Sequence, residues 1–481
     1  MKNKSSVLNN LSWKFAERIT AQLVTTIVSI ILARLLEPSH YGIIAIVTIF
    51  ITFANVFVSD GLGSALIQKP KADALDFSSV LWVNIVFSIL IYFLLYIAAP
   101  YIAAFYGEGY EILTPVLRVL GIRIIFSAIN SVQQAYVSRK MIFHKFFWST
   151  LLGTVISAIV GIYMAFKGYG VWALVVQYLT NTTVDTIVLG ISLGKVPLFR
   201  ISIKRLKSLL SFGLHILGTG LLITGYQELR SLIIGKMYSS SDLAFYEKGR
   251  QFPNLAVTNI NVSIGAVLFP KMASEQDDLE KVKDMTRKSI LYSSYIMSPI
   301  MLGLAAVAES FVCLLLTDKW LPCVLFLRLF CIIYLFYPIH TANMQAIKAV
   351  GRSDILFKLE VTKKIIELVI IVVTMWISVE AMVIGLAIIT TLFTFVNAYP
   401  NIKLLKYSIK EQMSDILPSV CNSLIMFVCV YLVGMIQMSI SLKLAIQIFT
   451  GMLIYVLLSI VTKRQEYYYI KETLLKLLHR K

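Results

Sequence analysis

The stretch YGIIAIVTIFITFANVFVSDGLGSALIQK, Tyr41 to Lys69, decides the fold. From Tyr41 to Ile67 it holds a single charged side chain, Asp60. A helix needs about 20 apolar residues to cross a hydrocarbon core of roughly 30 Å, so this run reads as a membrane span. Working outward in both directions gives fourteen such runs: approximately 15–36, 41–67, 78–100, 112–137, 146–166, 170–193, 209–235, 243–269, 289–311, 323–347, 362–379, 381–400, 416–436 and 441–461. The composition agrees, with 58% hydrophobic residues, 15% charged residues and a mean hydropathy of +0.79. The expected fold is an all-α polytopic membrane protein with no stretch left for a large soluble head. The first run has Lys14, Glu17 and Arg18 at its start and no small-residue cleavage site after it, so it reads as a retained helix and not a signal peptide.

Lys and Arg favour cytoplasmic loops. With the N-terminus inside, 32 of the 44 cations fall in inner segments, five in outer loops and seven within spans. The expectation is a multi-pass protein of the cytoplasmic membrane with both termini in the cytoplasm. A basic inner face beside anionic lipid accounts for the net charge of +18 without nucleic acid. The last stretch, KRQEYYYIKETLLKLLHRK, places Tyr467, Ile470, Leu474 and Leu478 on one helical face and is expected to lie in the inner interface. The loop from Ser274 to Lys288 is expected to form a short surface helix around Leu279, Val282 and Met285.

An internal repeat emerges when residues 29–71 are laid on residues 231–273. Arg34 then meets Lys236, Gly63 meets Gly265, Leu66 meets Leu268 and Lys69 meets Lys271. Six spans separate the copies, so both enter the membrane in the same direction. The expected organisation is an N-lobe of six helices (1–200), a parallel C-lobe of six helices (201–404), two further helices (405–462) and a basic amphipathic cytoplasmic tail (463–481). Parallel repeats of this kind are one construction used by alternating-access transporters.

The segments ILARLLEPSHYGIIAI (Ile31 to Ile46) and SDGLGSALIQKP (Ser59 to Pro70) resemble the first-lobe signature of the polysaccharide flippases of the multidrug/oligosaccharidyl-lipid/polysaccharide exporter superfamily. In the second lobe, SLIIGKMYSSSDLAFYEKGRQFP (Ser231 to Pro253) and LFPKMASEQDD (Leu268 to Asp278) are similar to the matching turns of the same family. The resemblance implies movement of a polyprenyl-diphosphate-linked oligosaccharide repeat unit from the inner to the outer leaflet, for surface polysaccharide such as O-antigen, capsule or exopolysaccharide. The partners it implies are the polysaccharide polymerase or glycosyltransferases of such a pathway. Two positions depart from the family: Glu37 stands where many members have Gly, and Arg230 where a number have Asp. A cation-coupling carboxylate at that second position is therefore not carried over.

Ionisable groups inside spans cost about 2.5 to 3.5 kcal/mol on insertion scales and are functional or paired. On one helix only residues three or four apart face each other, which lets Glu247 pair with Arg250 and leaves Arg123 and Arg18 without an acid; Glu228 lies two from Arg230, on roughly the opposite side. Arg123, Arg230 and Arg250, and after them Lys248 and Arg18, are the candidates to hold the diphosphate, because guanidinium forks suit phosphate oxygens. Asp60, Asp185 and Glu228 are candidates for gating or coupling, with a hydrogen bond at a helix kink beside Gly61 and Gly63 as the competing reading for Asp60. Asp185 is also within reach of Arg123 by depth, so a structural pair is the competing reading for both.

No metal, cofactor or catalytic set emerges. The cysteines are odd in number without CxxC spacing, the five histidines show no ligand-like pair, and no GxxxxGK[ST] loop occurs. A membrane polymerase or ligase would need a sizeable external loop, whereas the longest expected one, Tyr101 to Glu111, is about a dozen residues. Two further readings stay open: a drug or cation antiporter of the same superfamily, which would call for deep carboxylates, and a peptidoglycan-precursor flippase.

Overall fold

A computed structural model describes residues 2–69, 72–194 and 201–478, and these fold entirely as helices, turns and loops. The first compact unit, Met1–Ala244, contains α1 (Lys2–Leu35), α2 (Pro38–Asn55), α3 (Gly61–Gln68), α4 (Ala74–Tyr106), α5 (Leu113–Gly121), α6 (Arg123–Lys140), α7 (Phe143–Phe166), α8 (Val171–Leu193) and α9 (Ile203–Met237), and the first turn of α10 (Ser240–Ser274). The second unit, Phe245–Lys481, holds the rest of α10, then α11 (Leu279–Leu316), α12 (Cys323–Leu335), α13 (Tyr337–Ala349), α14 (Ser353–Thr374), α15 (Val379–Leu405), α16 (Ile409–Gly434), α17 (Ile440–Val461) and α18 (Gln465–Leu478).

All fourteen expected spans are helical. Three are broken: α2 and α3, α5 and α6, and α12 and α13 each form one span in two pieces. Twelve of the fourteen are long and apolar enough to cross a membrane among the described residues. Of the other two, α14 carries Lys358, Glu360, Lys363, Lys364 and Glu367, which lower its apolarity, and α9 lies partly outside the described side chains. The protein is thus an all-α, multi-span membrane protein.

The repeat register reappears in the helix ends. α1 stops at Leu35 and α9 at Met237, α2 starts at Pro38 and α10 at Ser240, so both junctions differ by the same 202 residues as the aligned sequence. At the second start the backbones crowd: a Cβ on Gly42 would stand 1.7 Å from the Ser240 carbonyl oxygen, which only glycine tolerates.

Small residues set how closely the helices pack, as expected where lipid removes the usual hydrophobic drive. α7 lays Ser149, Gly153, Ser157, Gly161 and Ala165, one per turn and all buried, against α8. A Cβ on Gly153 would meet the Asn181 carbonyl oxygen at 3.0 Å, and one on Gly161 would meet Gln177 Cβ at 2.9 Å. In the second unit Gly249 of α10 does the same against α12, 2.5 Å from Phe326 Cβ by that construction.

Three local expectations change. The loop Tyr101–Glu111 shortens to residues 107–112, because α4 runs through Pro100 to Tyr106 and ends at Gly107, whose φ of 105° only glycine adopts readily. The surface helix expected over 274–288 is the first turns of α11, with Val282 buried in the core and only Leu279 exposed. α18 forms as expected, but Tyr467 and Ile470 pack on the core of α11, α16 and α17 rather than standing free.

Candidate functional site

The run Tyr41–Lys69 is not one smooth helix. Residues Val56–Asp60 form a π-helical turn between α2 and α3, the kind of bulge frequent at functional sites. The widened turn exposes backbone carbonyls, and side chains take them up: Asn84 Nδ2 donates to the Val58 oxygen at 3.1 Å and Ser59 Oγ to the Asn55 oxygen at 2.7 Å. Asp60 ends this turn; its side chain lies outside the described residues.

At the far end of α3 the orphan carbonyls of the last turn meet Arg139 from α6, which donates to the oxygens of Leu66 at 3.0 Å, Ile67 at 3.2 Å and Lys69 at 2.5 Å. Lys69 in turn pairs with the fully buried Asp76 at 2.7 Å. Asp76 and Asp73 form a reciprocal cap at the start of α4, and Arg205 of α9 binds Asp73. The Arg205 guanidinium and the backbone N–H groups of the cap hold the Asp73 carboxyl down at about 2. Beside this cluster a cavity of about 710 Å³ lies among α4, α6 and α8, with Phe77, Leu81 and Tyr136 on its walls and Asp73, Arg139 and Lys140 at its polar margin.

Arg123 stands at the first position of α6, after the break at Ile122. Its Nε donates to Thr182 Oγ1 on α8 at 2.7 Å, and its guanidinium carbon lies 5.7 Å from the Tyr178 ring. Asp185 is one turn further along α8 and accepts from Asn130 Nδ2 at 3.0 Å, which itself accepts from Gln134. The Oδ1 of Asp185 is buried without a hydrogen-bond partner. The direct Arg123–Asp185 pair weighed from depth is therefore not formed. Thr182 intercepts the guanidinium, while Asn130, two turns along α6, occupies the carboxylate.

The other candidates occupy separate places. Arg18 is half-buried on α1. Arg230 is half-buried on α9 with its Nε buried and unbonded, and Glu228 lies two residues earlier on the same helix. On α10, Arg250 pairs with Glu247 at 2.7 Å, as the spacing of three requires, and stands 5.7 Å from the Tyr246 ring. Lys248 is buried; it donates to Gln251 Oε1 at 3.1 Å and lies 5.6 Å from the Trp320 ring. These side chains belong to two units, Arg18, Arg123 and Arg230 to the first and Lys248 and Arg250 to the second.

Sequence reasoning also missed the third broken span. α12 and α13 part at Phe336 ahead of Pro338, and one turn on His340 bonds Thr394 of α15 at 2.9 Å. Near it, α15 buries Asn397 with neither side-chain polar atom bonded, and Asn401, which donates to Asn343 Oδ1 at 2.7 Å. Proline beside a histidine within an apolar run was the available signal. Discontinuous helices with unpaired polar groups at membrane depth are how transporters build sites that must bind and release. Among the described residues no group of three His, Cys, Asp or Glu is placed to hold a metal.

Comparison with known proteins agrees with this architecture. The chain is 24% identical over 307 residues to the teichuronic acid biosynthesis protein TuaB of Bacillus subtilis (strain 168), covering 63% of each chain. It is 23% identical over 320 residues to the succinoglycan biosynthesis transport protein ExoT of Rhizobium meliloti (strain 1021), covering 66% of this chain and 64% of that one. The chain thus spans a little under two thirds of the length of these curated relatives. Its fold is similar to the solved structure of the lipid II flippase MurJ in an inward closed conformation, with a TM-score of 0.75, 16% identity, and coverage of 94% of this chain and 99% of that one. A family described as polysaccharide biosynthesis protein matches residues 31–325, more than half of the chain, and the protein belongs to that family.

Proposed function

We propose that the protein is a flippase for polyprenyl-diphosphate-linked oligosaccharide repeat units, moving them from the inner to the outer leaflet of the cytoplasmic membrane for surface polysaccharide. In this reading it is a transporter and makes no covalent bond. Residues 1–200 and 201–404 act as two six-helix lobes that alternate access, followed by two further spans (405–462), with both termini in the cytoplasm. The observation that carries it is membership of a polysaccharide biosynthesis family by a chain whose spans are broken at Ile122, just before Arg123, and at Phe336, one turn before His340. The transport wording in the name of the succinoglycan relative and the fold likeness to a lipid flippase support the same reading.

The diphosphate cannot cross an apolar core without a counter-charge. Arg123, Arg230 and Arg250, and after them Lys248 and Arg18, are the cations that supply it, each holding weakly enough that release stays possible. Asp60, Asp185 and Glu228 serve gating or coupling. The test replaces Arg123, Arg230 and Arg250 singly with Gln, in variants verified to reach the membrane, and measures export of the lipid-linked unit. Graded losses, about tenfold for Arg123 and less for Arg250 with its own acid, are expected, since charge-assisted bonds are worth about 1.5 to 3 kcal/mol. Full export by all three overturns the assignment of these cations.

A further inference from the structure

The second unit contains a polar cavity that the flippase reading does not use. It measures about 250 Å³ and is lined by Glu309 and Ser310 of α11, Arg328 of α12, Tyr431 of α16, and Lys443 and Gln447 of α17. All lie within two turns or so of one end of their helices, the end opposite the basic turns around Lys283, Arg287, Lys406 and Lys410.

The groups in it are under-used by the protein itself. Arg328 donates its Nε to the Ala305 oxygen at 3.3 Å and faces the Tyr431 ring at 5.6 Å, which leaves its two terminal NH₂ groups directed elsewhere. Neither Glu309 nor Lys443 makes an ion pair among the described residues. Gln447 is only 2% exposed. Its amide nitrogen donates to the Val430 oxygen at 3.2 Å, which fixes the flip and leaves Oε1 buried, unbonded and beside the cavity. Gly434 makes the room: a Cβ there would stand 2.6 Å from the Gln447 nitrogen.

A guanidinium fork and an ammonium converging beside one carboxylate leave a net charge of one, matching a singly charged phosphate diester better than a dianion. Glu309 and the Gln447 oxygen remain as acceptors for hydroxyl or ammonium hydrogens on the same ligand. The cavity admits a headgroup but not an acyl chain. Apolar side chains for such a chain stand outside, where α16 and α17 expose Leu432, Ile448 and Phe449. We propose that this pocket binds the phosphodiester headgroup of a phospholipid in the adjacent leaflet, with Arg328 and Lys443 on the phosphate and Glu309 and Gln447 on its hydrogen-bond donors. The site is separate from the cations assigned to the transported diphosphate and does not depend on them.

The test uses the full chain, delipidated in detergent, with native mass spectrometry to count bound phosphatidylglycerol during titration. Wild-type protein is expected to retain one molecule that survives detergent exchange. Lys443→Gln, a partly exposed change in the first turn of α17, should raise the half-saturation concentration about fivefold, and Arg328→Gln combined with it at least twentyfold. Glu309→Gln should lower it, because a nearby negative charge is removed; a merely structural role for this cluster would not produce that opposite sign. Retention by the double variant equal to wild type overturns the proposal. Displacement of the lipid by millimolar inorganic phosphate, at concentrations that leave the micelles intact, also overturns it, because the pocket would then serve a free anion.

Discussion

Arg123 illustrates what a single side chain must solve at membrane depth. Its charge is held by a hydroxyl and an aromatic ring rather than by a carboxylate, so it stays uncompensated and available to an anion. Thr182→Val should therefore impair export more than it lowers thermal stability, the lost bond to a charged donor being worth about 1.5 to 3 kcal/mol. Because Asp185 is bonded to Asn130 instead, Asp185→Asn is not expected to rescue Arg123→Gln; rescue, read as restored export, would restore the structural pair. The Glu247–Arg250 pair was legible from a spacing of three on one helix. Thr182 was not, since nothing in the sequence states which turn of α8 faces α6. At the start of α4, Asp73 gives a pH prediction. A carboxyl held at about 2 contributes stability above its ordinary range near 4 that is lost only as pH falls through about 2. The difference in melting temperature between wild type and Asp73→Asn should thus be the same at pH 7 and pH 5, and should close only in stronger acid.

Helix by helix, apolar runs made all fourteen spans readable, because length and apolarity are local properties. Their breaks were harder. The π-turn ends at Asp60 and the break at Ile122 precedes Arg123, but a lone charge in an apolar run does not by itself mark a break, and the π-turn depends on Asn84 taking up a carbonyl of its disturbed ladder. The seam of small residues on α7 makes the packing testable. Gly161→Leu should separate α7 from α8 and cost about 1 to 3 kcal/mol as an overpacked site. Gly218→Ala on α9, which meets no atom within 4 Å, should be tolerated. Melting of the purified variants checks both; equal melting of the two would mean that the seam does not set the approach of these helices.

For the whole molecule, the repeat was visible in sequence only as a few aligned residues, yet the two junctions at Leu35–Pro38 and Met237–Ser240 keep its offset without a residue of slippage. Duplicated helical hairpins, cations at membrane depth and membership of a polysaccharide biosynthesis family together motivate transport of a lipid-linked sugar. The most direct measurement labels the lipid-linked repeat unit from outside intact cells, with an impermeant sugar-oxidising reagent, in the presence and absence of this protein. The account predicts that without it the unit is still synthesised, accumulates, and is shielded from the reagent, and that restoring the protein exposes it. Labelling at the same level without the protein would contradict the account.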